Sequence, residues 1–205
     1  LQLAAKLASQ ERLNLLKFLP LWDLQHLRAE DYQRHRAEDG KEYPSLAEKV
    51  IQQASKEAAA SGDAQDLNYT LPYLDAAIER FPDNVWLKLD KAKGLLGLGR
   101  HEDALDFGMA VTKAKANEYW AWELLGDIMA LTNPAAALGC YCKALCCPAD
   151  DKFTGKVRLK LAQSMIEMHD LPAAKLEVVT VLQQKERHGQ RIPEAAERIA
   201  SQPWF

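Results

Sequence analysis

No apolar run in this chain approaches the roughly 18 residues that a membrane-spanning helix needs, and no signal peptide opens it, so neither membrane nor export is indicated. Alternating runs of Val, Ile, Thr and aromatic residues are also missing. The one exception, Val178 to Leu182, is embedded in a helical pattern, so the material for a sheet is absent. There is no excess of positive charge: 26 basic against 29 acidic side chains leave a net charge of −3, and the molecule as a whole advertises no phosphate-binding surface. The four cysteines all fall between Cys140 and Cys147. Thiols crowded on one helical stretch cannot staple a secreted scaffold, which points to a reducing, cytoplasmic setting.

Motifs of chemistry are lacking as well. Gly94, Gly97 and Gly99 come in the wrong order for a dinucleotide loop, and Thr154-Gly155-Lys156 lacks the flanking residues of a phosphate-binding loop. His26, His35, His101, His169 and His188 are scattered, with no metalloprotease spacing and no evident Ser, His and acidic set. On a helix, Cys142 shares a side with Cys146, and Cys140 with Cys147, but four tetrahedral ligands cannot converge from a single rod. The thiols read as small apolar residues. The expectation is a chain that is not an enzyme and holds no cofactor and no metal. It starts at Leu1 rather than Met, which suggests a piece of a longer protein.

What is present is helical. Apolar residues make up 48% of the chain, and its Ala-rich and Leu-rich segments with Lys and Glu favour an all-α fold. From Gln2 to Leu19, leucines 3, 7, 13, 16 and 19 recur at spacings near three and four, predicting an amphipathic helix that ends before Pro20. A second helix is expected from Asp23, its cap, with Leu24, Leu27 and Tyr32 on one side. The charged stretch Arg34 to Lys41, with the turn signal Asp39-Gly40, then leads onward. Pro44-Ser45-Leu46-Ala47-Glu48 holds a capping box: Ser45 can accept from the amide of Glu48 while the Glu48 carboxylate returns to that of Ser45. That helix should reach about Ala60 and stop at Gly62.

Beyond this point positions repeat. Ala58, Ala92 and Gly126 are each 34 residues apart, as are Thr70 and Ala104, Leu74 and Gly108, Ala77 and Val111, Leu95 and Met129, and Trp86 and Trp120. From Gly126 to Ala162 the interval is 36, and from Ala137 to Ala174 it is 37. A turn shortened near Thr132 to Ala135 and one lengthened around Pro148 to Thr154 account for both. Trp122, Leu125, Gly126 and Met129, followed by Ala137, Tyr141, Ala144 and Pro148, form the clearest unit.

This pattern resembles the tetratricopeptide repeat (TPR), a helix-turn-helix unit of 34 residues. The resemblance implies a right-handed α-α superhelix of about four helical hairpins with a concave groove. Units are expected near 51–84, 85–118, 119–151 and 155–188, in an array spanning 43–190. An N-terminal helical entry segment, 1–42, would precede it, and a C-terminal capping helix and tail, 191–205, would follow. In that last segment Ile192, Ala195, Ala196 and Ile199 form one apolar stripe behind Pro193. The first unit departs from the family in holding Pro72 inside its second helix, so that Thr70 could cap a late start there. The second departs at Lys88, Lys91 and Gly108, which suggests looser packing.

Function follows from the same resemblance. In this family the first helix of each unit lines the concave surface, which by register places Trp86, Leu89, Lys93, Trp120, Glu123, Asp127, Lys156, Lys160 and Gln163 in the groove. The sequence leaves open whether the two Trp side chains stand exposed or fill gaps between units. Lys156 and Lys160 resemble the basic pair with which some co-chaperone members grip a C-terminal carboxylate, but Leu89, Lys93 and Leu124 stand where that clamp wants Lys and Asn. The resemblance therefore implies a protein-protein interaction scaffold for a peptide or protein partner. The alternative is a nucleic-acid-binding or regulatory helical arm of a larger enzyme, using Lys152 to Lys160 and Lys185 to Arg191. The acidic total disfavours it.

Overall fold

The structure, a computed structural model, describes residues 1–10, 12–19 and 21–205. Among these residues eleven α-helices carry the fold, which is all-α in class. In chain order they are α1 (Gln2–Ser9), α2 (Leu15–Phe18), α3 (Leu46–Ser61), α4 (Ala64–Arg80), α5 (Val85–Gly97), α6 (His101–Ala114), α7 (Tyr119–Met129), α8 (Pro134–Leu145), α9 (Asp151–Glu167), α10 (Leu171–Arg187) and α11 (Glu194–Ala200). From α3 to α10 the helices follow one another as four helix-turn-helix pairs of TPR type. The chain divides into two compact units, Leu1–Val111 and Thr112–Phe205, with the border falling inside α6.

The entry segment differs most from expectation. The single helix expected over Gln2 to Leu19 is two short ones, because the Asn14 side chain accepts from the Lys17 amide and starts α2 afresh. Pro20, its expected stop, lies outside the described residues. The helix expected from Asp23 is instead two 3₁₀ turns, Leu24–His26 and Ala29–Tyr32. Asp23 does cap the first, accepting from the Gln25 amide, but the same carboxylate oxygen also takes hydrogen bonds from the Tyr69 and Tyr73 hydroxyls of α4 at 3.0 and 2.9 Å. These bonds pin the turn to a neighbouring helix. The charged stretch that follows forms a two-stranded antiparallel hairpin, β1 (His35–Arg36) with β2 (Glu42–Tyr43), turning at Gly40 with φ 82°.

Arg34, at the foot of this hairpin, organises the first unit. Its guanidinium reaches Glu48 of α3 with two bonds (3.0 and 2.7 Å), Asp83 at 2.8 Å and Glu42 at 3.1 Å, and it stacks over Phe81 at 4.7 Å. Glu48 is 1% exposed and also accepts from the Ser45 amide and from Asn84, so the capping box is at once a cap and one half of a buried ion pair. Burial alone would raise the Glu48 carboxyl. The hydrogen bonds from Arg34, Ser45 and Asn84 outweigh it and hold the group below the usual carboxylate range.

Helix α3 starts at Ser45 and ends at Gly62 in the left-handed region, φ 68°, as expected. Helices α3, α4 and α5 pack against one another, and α1 and α2 pack on α3. Leu15, Leu24, Val50 and Ala54 form a core there with Trp22, Tyr69 and Tyr73. The late start expected at Thr70 is not found. Helix α4 begins at the Asp63 cap and runs through Pro72, whose missing amide falls on the exposed face, while the Thr70 hydroxyl donates back to the Leu67 carbonyl. Lys91, expected to loosen the second pair, is instead buried, with its ammonium 2.7 Å from Asp75.

In the second unit α7 packs on α8, α8 on α9, α9 on α10 and α10 on α11. The Tyr141 ring occupies the space beside Gly126, where an added Cβ would lie 2.5 Å from the ring carbon Cε1. Ala137, Ala144 and Ala162 have no exposed surface. Ala196 and Ile199 of α11 close the end of this core with Trp204 and Phe205, whereas Ile192, expected in the same stripe, is 37% exposed.

Two substitutions test these junctions. Arg34→Ala leaves Glu48 buried without its cation and should cost about 3 kcal/mol, read as a lower urea midpoint. Gly126→Ala drives a methyl into Tyr141 and should cost about 1–3 kcal/mol by thermal or urea unfolding; no loss would mean that α7 and α8 do not approach as described.

Candidate functional site

The nine residues assigned to the concave surface fall in both units, and each unit is described by itself. In the first, Asn84 caps α5 by accepting from the Trp86 amide, which puts Trp86 on the first turn. Trp86 is 43% exposed and Lys93, two turns further on, is exposed. Leu89 is not: at 6% exposure it belongs to the packing between helices and offers a ligand little surface. Beside it stands a residue that the register did not single out. Asp90 is 2% exposed, and its Oδ2 has no hydrogen-bond partner. Burial pushes its carboxyl up to about 7, against the opposing pull of Lys56 and Lys93.

In the second unit α7 contributes half-buried Trp120, Glu123 and Asp127, and α9 contributes Lys156, Lys160 and Gln163. Lys160 lies 2.5 Å from Glu123 and 2.6 Å from Asp127, and the second oxygen of Asp127 accepts from the Tyr141 hydroxyl at 3.0 Å. Burial first, and then the Asp127 charge, push the Tyr141 phenol up, so it stays a neutral donor. Lys156 is 77% exposed and only 3.9 Å from Glu123. The two acidic residues thus meet a cation of their own chain, a pairing invisible to local spacing because the partner is one repeat away. Gln163 is exposed, with its amide on Glu167.

The four cysteines are free; burial pushes the Cys140, Cys142 and Cys147 thiols up, away from the thiolate that ligation or nucleophilic attack requires. Among the described residues the group able to gather three ligands is Asp150, Asp151 and His188. Its carboxylates are already engaged: Asp150 with Lys152 at 3.0 Å, and Asp151 with His188 at 2.7 Å and Arg187 at 3.6 Å. The set reads as a charged closure of the α9 and α10 ends. No described helix is long and apolar enough to cross a membrane.

A family model described as a domain of unknown function, DUF7017, matches residues 85–205. The chain belongs to this family. The matched DUF7017 segment begins at α5 and holds all nine residues assigned to the groove. A search of curated proteins finds no match. Solved structures share the fold. "MamA RS-1 ArsTM double mutant" is 17% identical with a TM-score of 0.66, covering 91% of this chain and 92% of that one. "MamA MSR-1 C2" is 16% identical at 0.64, covering 90% and 94%. "MamA 41-end from Desulfovibrio magneticus RS-1" is 15% identical at 0.55, covering 90% and 96%. MamA is a TPR-like helical repeat protein, so the TPR likeness rests on structure, whereas the sequence family is DUF7017.

Asp90 gives a pH test. Its folded value lies above the ordinary 3.8, so below about pH 4 it is protonated in both folded and unfolded chains, and the cost to the folded chain grows as pH rises from about 4 to about 7 and stays constant above that. Asp90→Asn should therefore gain about 1–3 kcal/mol over the parent at pH 8 and lose that advantage near pH 4. Urea unfolding at the two pH values checks it; an equal effect at both would remove the buried carboxylate from the account.

Proposed function

We propose that the chain is a non-enzymatic scaffold that holds a peptide or protein partner on the first helices of its hairpins. The observation that carries this reading is the division of labour on α5 and α9. Their apolar positions are used in packing, while Trp86, Lys93, Lys156 and Gln163 remain exposed on them. An indole gives a rigid apolar contact area, and charges around it select a partner more than they add affinity. The TPR-like fold shared with MamA supports the same reading. Free thiols, and the lack of a membrane-crossing helix among the described residues, support a reducing, cytoplasmic setting.

The nucleic-acid reading draws less support. Lys152 pairs with Asp150, Arg158 with Glu177 at 2.6 Å, Lys160 with Glu123 and Asp127, and Arg187 with Asp151. Cations neutralised within the chain release few counterions on meeting a phosphate backbone.

Trp86→Ala combined with Trp120→Ala should lower affinity for a partner identified by cross-linking at least about ten-fold, with helicity by circular dichroism unchanged. Undiminished binding by the double variant would place the partner surface elsewhere.

A further inference from the structure

The first unit also contains a cleft that none of the nine groove residues lines. It measures about 980 Å³ and lies among α1, the second 3₁₀ turn with the start of the β-hairpin, and α3. It is lined by the face of α3 that carries Lys49, Gln52 and Lys56, by Leu3 of α1, and by Glu30, Asp31 and Gln33 from the turn. Among the described residues, the side chains of Lys49, Lys56, Gln33, Gln52 and Glu30 make no hydrogen bond or ion pair. Arg34, Lys91 and Lys160, buried or half-buried, are matched by three carboxylates, one and two respectively, whereas Lys49 and Lys56 stand exposed on the cleft. Leu3, at 69% exposure, is a large apolar side chain facing the same space. Two ammonium groups without an ion pair, of which Lys56 acts on Asp90 only through space, two unused amides and one uncovered leucine thus line a single concave surface.

We propose that this cleft binds a peptide segment in the polyproline II conformation that bears two carboxylates three positions apart. Lys49 and Lys56 stand seven residues apart on α3, two turns, or about 10 Å along the axis. Polyproline II has three residues per turn and rises about 3.1 Å per residue, so side chains three positions apart share one face and lie about 9 Å apart, close to the spacing of the two lysines along α3. The Gln33 and Gln52 amides each offer a donor and an acceptor, the complement of a peptide main chain. Leu3 takes an apolar residue between the two acids. Glu30 and Asp31 discriminate by charge: a nucleic acid brings a negative charge at every nucleotide, whereas a peptide can place neutral or basic residues opposite those carboxylates. The site shares no residue with the hairpin faces of the scaffold reading and stands or falls separately.

The test is fluorescence anisotropy on the whole chain, with a labelled peptide carrying two glutamates three positions apart around a leucine, its glutamine counterpart, and an oligouridylate. The glutamate peptide should bind with an affinity that falls as salt is raised, and the glutamine peptide should bind at least about ten-fold more weakly. Lys49→Gln with Lys56→Gln should lose at least about ten-fold at unchanged melting temperature. Lys49→Arg with Lys56→Arg, and the charge-matched control Lys113→Gln with Lys143→Gln, should bind like the parent. No binding of the glutamate peptide overturns the proposal, as do equal binding by the Gln double variant, equal binding of the two peptides, or tighter binding of oligouridylate. A chain that captures a partner through Trp86 and ignores the glutamate peptide would retain the scaffold reading and lose this one.

Discussion

Paired helices approach most closely where one of them presents almost no side chain, and in this protein such positions are Ala58, Ala92, Gly126 and Ala162. The three alanines have no exposed surface, and at Gly126 the neighbouring tyrosine ring fills the volume that a side chain would need. A stripe of small residues by itself buries little apolar area. It lets larger side chains pack beside it, and the buried Leu74 and Leu95 in the first unit and Ile128 and Val157 in the second supply the burial. The departures from the TPR pattern are tolerated because each is satisfied locally. Lys91 carries its own counterion in Asp75, and Pro72 faces outward, where its absent amide leaves no buried carbonyl stranded.

Around this packing the first unit adds a polar lock. Arg34 joins the foot of the hairpin, α3 and the turn before α5 through three carboxylates and one aromatic face. A segment otherwise made of short turns is thereby fixed against a helix. Asp23 does the same on a smaller scale, drawing two tyrosines of α4 onto a 3₁₀ turn.

The sequence announced what recurs and hid what occurs once. Equal spacing at Ala58, Ala92 and Gly126 revealed the hairpins, and the pair Ser45 and Glu48 revealed a helix start, because both signals lie within a turn or a fixed interval. The Arg34 cluster spans 14 residues to Glu48 and 49 to Asp83, so no periodicity betrays it. The entry helix was misread because leucine spacing alone cannot register a cap at Asn14 that restarts the chain. The candidate surface was legible only as a register. Repeat alignment assigned Leu89 and Trp86 to one face, but burial separated them, and the pairing of Glu123 and Asp127 with Lys160 appears only once α7 and α9 are brought together.

Asp127 takes one hydrogen bond from α8 and one ion pair from α9 while standing on α7, so a single carboxylate serves three helices. Side chains held in this way have already lost their rotamer freedom before anything approaches them. On the scaffold reading proposed above, a surface pre-set to that degree would meet a ligand without the entropic penalty that a loose array of long charged side chains incurs. On the same reading it would have little freedom to re-pack for a second ligand, and Asp127 would favour selectivity at the expense of breadth.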